Sequence, residues 1–153
     1  MAKEFTQKEL EDLIIEFMKA RATCVIATCS DSMPRASTVE FFPYGLTVYI
    51  ITEGGRKVEN IEKNPQVSVA ISDAFTTWES LRGLQITGAA EIGTRGSEIF
   101  REGLEAYRKR RGRKDAVLPD FMNVIKVIPI QMEYIDTRLA KRGYPIRNIL
   151  ALL

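Results

Sequence analysis

The stretch Thr52-Glu53-Gly54-Gly55-Arg56-Lys57 carries the strongest chemical signal in the chain. It runs from a strand end through a diglycine turn into a helix start, which offers unpaired backbone N–H groups at the positive end of a helix dipole. The glycines let backbone approach a ligand, and Arg56 and Lys57 add charge. Two cations at a helix N-terminus cost about 0.3–1 kcal/mol each against the dipole, and a bound anion offsets both. Taken alone, the pair reads more simply as solvated surface charge beside a flexible turn. Arg35 adds weight to the anion site. It enters an extended run in which Arg35, Ser37, Val39 and Phe41 share one face and Ala36, Thr38, Glu40 and Phe42 the other. That run is expected to pair, through the next hairpin, with the strand ending at Thr52. Arg35, Ser37, Thr52, Arg56 and Lys57 then converge as a candidate phosphate cradle.

Other chemistries are closed to this chain. It contains no histidine, so Ser-His-Asp, Cys-His and HExxH mechanisms are impossible. Its two cysteines, Cys24 and Cys29, point to opposite faces of one strand, which suits packing in a reducing compartment and disfavours a disulfide. Twenty-two Lys and Arg against 20 Asp and Glu leave a net charge of +2, too little for a general attraction to nucleic acid or to a membrane surface. The basic run Lys109-Arg110-Arg111-Gly112-Arg113-Lys114 lacks interleaved aromatics and reads as a solvated helix end. Trp78 lies in a loop and is a candidate cap for a bound ring or, more simply, a packing residue.

The elements that must position the cradle follow from periodicity. With 153 residues, 45% of them hydrophobic and 27% charged, the chain is expected to form one globular domain over 1–153. No apolar run approaches the roughly 18 residues that a membrane helix needs. The opening MAKEFTQKELEDL mixes both charges with no apolar h-region, so a cytoplasmic location is expected. Leu10, Leu13, Ile14, Phe17 and Met18 mark an amphipathic helix within residues 1–20, started by a Thr6/Glu9 capping box. The period then changes to two, and residues 23–52 read as a three-stranded meander broken by Gly54-Gly55. A short helix from Arg56 ends at Asn64-Pro65, a strand follows over Gln66–Ser72, and a long strand spans Leu84–Ile92. Gly96–Arg111 reads as a second amphipathic helix, and Val124–Asp136 as one or two closing strands around Pro129. The tail 137–153 ends apolar and is expected to dock, a partner subunit being one candidate. Strands joined by short connections, with a few helices inserted, predict a mostly β fold, an antiparallel barrel of Greek-key type.

Three motifs in this order resemble the pyridoxamine 5′-phosphate oxidase-like, FMN-binding split-barrel family over roughly residues 20–136. They are Pro34-Arg35-Ala36-Ser37-Thr38-Val39-Glu40, then Thr52 through Arg56-Lys57-Val58-x-Asn60-Ile61-x-x-Asn64-Pro65, then Gln85-Ile86-Thr87-Gly88-Ala89-Ala90-Glu91. The resemblance implies a split β-barrel and FMN as cofactor. It implies that Arg35 holds the FMN phosphate together with Thr52, Arg56 and Lys57, Ile51 lying in the same segment. The backbone of Ala36, Ser37, Thr38, Val39 and Glu40 would lie along the flavin ring, which Gln85 approaches. It further implies a homodimer with the flavin near the subunit interface, and hydride or electron transfer at the flavin, the redox chemistry being the cofactor's own. A flavin carrier or electron-transfer module, or a reductase using the deazaflavin F420, are the alternatives on the same fold. Two departures stand out. Glu40 occupies a place where the oxidases carry a basic residue, and Arg138, Lys141, Arg142 and Arg147 do not reproduce the oxidases' C-terminal substrate motif. The substrate is therefore expected to differ from a B6 vitamer.

Overall fold

Thr6 starts the first helix as expected: its hydroxyl accepts from Glu9 N at 3.1 Å, while the Glu9 carboxylate accepts from Thr6 N at 3.0 Å. The computed structural model describes residues 2–152. Helix α1 (Gln7–Lys19) leads into β1 (Thr23–Ser30), β2 (Met33–Glu40), β3 (Phe42–Tyr44) and β4 (Thr47–Thr52). Then come α2 (Arg56–Lys63), β5 (Gln66–Ser72), β6 (Arg82–Gly93), α3 (Glu98–Arg111), β7 (Asn123–Asp136) and β8 (Arg147–Ala151). Every strand pairing is antiparallel, in the order β2-β1-β5-β6-β7-β4-β3 with β8 added to β7. The fold is a mostly β split barrel. Among the described residues, no helix is long and apolar enough to cross a membrane.

The expected meander over 23–52 does not form. Asp31 and Ser32, both at positive φ, close the β1–β2 hairpin, and a second hairpin joins β3 to β4, yet β2 pairs with β1 alone. Between them Phe41 is fully buried and its N–H bonds to Ala22 O, one step beyond the Thr23–Glu40 pair of the β1–β2 ladder, and the strand breaks there before β3. Strand β4 pairs instead with the first half of β7, Val48 to Thr52 lying opposite Val127 to Asn123. The predicted closing segment is a single 14-residue strand, and Pro129 sits at a bulge in it. Gly88 lies opposite that bulge, where a Cβ would meet Ile128 O at 2.7 Å, so only glycine lets the two backbones come this close.

Two apolar clusters result. The inner face of the curled sheet closes on Leu10, Ile14, Phe17 and Met18 of α1. Helix α3 covers the outer face of the other half, packing Phe100 and Ala106 against Phe42, Tyr49 and Val124. The tail does dock, but on its own chain: β8 extends the sheet, and Leu150 is buried while Ile149 faces outward.

A polar network anchors the far end of β7. The buried Asp136 carboxylate accepts from Arg138 Nε and Nη2, each at 2.9 Å, and from the fully buried Tyr134 hydroxyl at 3.1 Å. Arg82 Nη2 donates to the same hydroxyl at 3.0 Å, and the Arg82 and Arg21 guanidinium groups both lie over the Phe17 ring. Burial pushes the Asp136 pKa up, but the Arg138 side chain and backbone N–H more than offset this and leave it below the ordinary carboxylate value. A depressed folded-state pKa stabilises the fold above the unfolded value near 4 and is lost as pH falls through the folded one. Asp136→Asn is expected to cost about 2–3 kcal/mol at neutral pH in urea unfolding. The gap from the parent chain should narrow below about pH 4.

Candidate functional site

Helix α2 begins without a side-chain cap. Its N-cap is Gly55, at φ 89°, preceded by Gly54 at φ 121°, left-handed conformations that favour glycine. The Thr52 hydroxyl bonds both the N–H and the carbonyl of Gly54 at 3.2 Å, so this side chain holds the turn's shape. The first N–H groups of α2 are thus left for an outside partner.

What seats the helix was only half visible in the sequence. Val58 and Ile61 are buried, as their spacing requires. Between them Asn60 Nδ2 donates to the Thr28 hydroxyl at 3.0 Å, and its Oδ1 accepts from Ser30 at 2.7 Å. One turn on, Asn64 Nδ2 donates to Cys29 O at 3.0 Å and its Oδ1 accepts from Gln66 N at 3.1 Å. Asn60 on the helix and Asn64 at its C-cap thereby lock α2 to β1. Asn60 and Asn64 stand in the second motif, and the polar Asn60 beside the apolar Ile61 gives only a local hint of a positioning role, with no pointer to its partners.

The lock brings the predicted cations to one region. Thr28 lies opposite Arg35 in the β1–β2 ladder, so Arg35 projects from the face that Asn60 touches. Arg56 and Lys57 precede Asn60 by one helical turn. Ion pairs among the described residues engage none of Arg35, Arg56 and Lys57. Ser37 and Val39 share the Arg35 face, opposite Ile26 and Cys24, while Ala36, Thr38 and Glu40 point outward. Burial pushes the Cys24 thiol up to about 12, which suits a packing role.

The route to this convergence differs from the expected hairpin. Strands β2 and β4 come close without pairing, across the seam where the sheet fails to close. The free edge of β2 runs along one side; on the other, β4 is paired to β3 only over Thr47–Tyr49, leaving Ile50, Ile51 and Thr52 open. Two unpaired edges therefore present backbone donors and acceptors beside the cation group. Of the remaining predicted residues, Ile51 turns its side chain outward, packed under α3, and can serve the seam only through backbone. Glu40 is held by Arg111 Nη2 of α3 at 2.8 Å. Gln85 stands elsewhere: it is exposed on the outer sheet face in a row with Ala70 and Glu133, opposite to the Arg35 face. Trp78 is 70% exposed beside Phe75.

A model of the family described as pyridoxamine 5′-phosphate oxidase matches residues 10–136. Among solved structures, a candidate pyridoxamine 5′-phosphate oxidase from Listeria innocua is 26% identical, the alignment covering 82% of this chain and 98% of that one, with a TM-score of 0.65. General Stress Protein 26 from Bacillus anthracis is 22% identical over 94% of this chain and 98% of its own, with a TM-score of 0.66. A FAD-binding protein from Mesorhizobium loti shares the fold at 16% identity, over 77% of this chain and 88% of that one, with a TM-score of 0.60. No curated protein matches the sequence.

The α2 lock is directly testable. Asn60→Ala removes two side-chain hydrogen bonds and strands the buried Thr28 hydroxyl, at an expected cost of about 1–3 kcal/mol in chemical denaturation. Glu59→Ala, on the exposed side of the same helix, should change stability by less than about 0.5 kcal/mol.

Proposed function

The chain belongs to the pyridoxamine 5′-phosphate oxidase family, and from that premise we propose that it binds FMN in the seam between β2 and β4 and works as an FMN-dependent oxidoreductase. One observation carries the reading: three cations without carboxylate partners among the described residues gather around an uncapped helix N-terminus, beside two unpaired strand edges. A phosphate monoester supplies the charge that Arg35, Arg56, Lys57 and the α2 N–H groups call for. A planar polar ring suits the open edges of Ala36–Glu40 and Ile50–Thr52, whose N–H and C=O groups can meet its rim. Bound there, FMN would supply electron or hydride transfer.

The chain's own residues bind and orient. Arg35 and Lys57 hold charge at the phosphate, Ser37 offers a hydroxyl on the same face, and Thr52 keeps the diglycine turn in the shape that opens the α2 N-terminus. Glu40 would place a negative charge near the ring, but its ion pair with Arg111 offsets that charge.

The reading includes a homodimer. The outer face of β2, β1, β5, β6 and β8 carries small and apolar side chains, among them Ala27, Ala36 and Ala70, with Val25 37% and Ile149 56% exposed. Gln85 lies on that face, so the flavin it serves is that of a second copy packed there.

Titration of the apo chain with FMN, riboflavin and F420 tests the proposal. FMN should bind about 100-fold tighter than riboflavin. The double variant Arg56→Ala/Lys57→Ala should lose most of that preference while riboflavin affinity stays within about twofold. Unchanged FMN affinity in the variant would put the phosphate elsewhere, and preferential F420 binding would change the cofactor. Sedimentation at micromolar concentration should give twice the chain mass of 17.3 kDa.

A further inference from the structure

Tyr49 faces away from the cradle, three residues or about 10 Å along β4 from Thr52 and on the other side of the sheet. It lines a cleft of about 1020 Å³ between the β3–β4 hairpin and the flank of α3. That volume is of the size that encloses a small molecule. None of Arg35, Thr52, Arg56 and Lys57 lines it.

The charges in this cleft sort into spent and unspent. Glu102 accepts from Lys126 Nζ at 3.0 and 2.8 Å through its two oxygens and from the Tyr49 hydroxyl at 2.9 Å, so the carboxylate is satisfied inside the wall. The Lys126 contact holds its pKa below the ordinary value, and burial next to that carboxylate pushes the Tyr49 phenol up. Glu105 is bonded by Arg108 Nη1 at 3.0 Å, and Arg101 faces Glu98 at 3.5 Å. Lys109, Arg113 and Lys114 remain, all exposed, with no carboxylate partner in the ion pairs of the described residues. Lys109 Nζ lies 5.4 Å from the centroid of the Tyr44 ring, which is 63% exposed.

We propose that this cleft is a second ligand site, which binds a planar organic anion: an aromatic ring carrying a carboxylate or phosphate group. The ring lies against Tyr44, and the anionic group is held by Lys109, Arg113 and Lys114. A concave site that combines an exposed aromatic ring with three cations lacking carboxylate partners in the ion pairs of the described residues offers both a stacking surface and charge. An extended acidic protein would need a flat or ridged surface, whereas here the cations surround a hollow of small-molecule size. The inference stands apart from the FMN reading, because it uses no residue of the cradle.

Isothermal titration of the full chain with naphthoate, naphthyl phosphate and the uncharged naphthamide, each with and without one equivalent of FMN, decides it. Saturable one-to-one binding of either anion, about tenfold or more tighter than naphthamide, is expected, and the tighter anion identifies the head group. Lys109→Ala/Lys114→Ala, at two exposed positions, should weaken the anions about tenfold or more, and Lys114→Ala alone, which leaves the Lys109 contact with Tyr44 intact, should weaken the anions while naphthamide stays unchanged. Tyr44→Ala should erase the preference for naphthoate over cyclohexanecarboxylate. No saturable binding, an affinity unchanged in the lysine double variant, or displacement of the probe by one equivalent of FMN would each overturn the proposal. Failure of FMN to bind at all would leave this test intact and refute only the cradle.

Discussion

One strand edge shared between two partners sets the shape of this molecule. Strand β7 pairs with β6 from Val124 to Asp136, interrupted only at the bulge, but its other edge is divided: Asn123–Val127 hold β4, and Gln131–Ile135 hold β8. Pro129, which has no N–H to give a ladder, sits at the bulge between the two stretches. The bulge bends the sheet, so β4 leaves in one direction and β8 in the other. That bend carries β4 around towards β2, and it separates the half of the outer face under α3 from the half left open. The seam, the cradle and the α3 cleft all follow from it.

The seam is a constraint turned to use. An unpaired strand edge is normally a liability that invites association. Here two such edges face one another at a spacing too wide for a ladder, next to a helix whose N-terminus has no side-chain cap. The cations divide accordingly into two kinds. Arg110 bonds the carbonyls of Phe41 and Met18, Arg111 holds Glu40, and Arg138 holds Asp136; these tie elements together. Arg35, Arg56 and Lys57 enter none of the ion pairs among the described residues, although they stand beside the same sheet. The basic run at the end of α3 divides the same way. Arg110 and Arg111 are structural, while Lys109, Arg113 and Lys114 face a cleft.

Much of this was legible from residue order. The Thr6 box, the α2 boundary before Pro65, strand β5 and the end of α3 at Arg111 all arise from contacts within a few residues, where periodicity and capping chemistry decide. The cation group was legible too, since Gly54-Gly55 followed by Arg56-Lys57 is a local pattern. Its scaffold was not. Asn60 bonds Thr28 and Ser30, some thirty residues earlier, and no spacing rule links an amide on a helix to two hydroxyls on a distant strand.

The sequence by itself determined the alternation of strands such as β2 and β5, the helix starts and stops, the absence of histidine chemistry and the identity of the candidate anion ligands. Only the tertiary structure decided that β2 and β4 meet across an open seam and not through a hairpin, that Glu40 is engaged by Arg111, and that Gln85 lies on the opposite face from Arg35. The physical reason is common to all three. Local periodicity says which face of a strand a residue occupies, but which strand lies beside it depends on the bend at Pro129 and on the burial of Phe41, each set by packing among residues far apart in the chain.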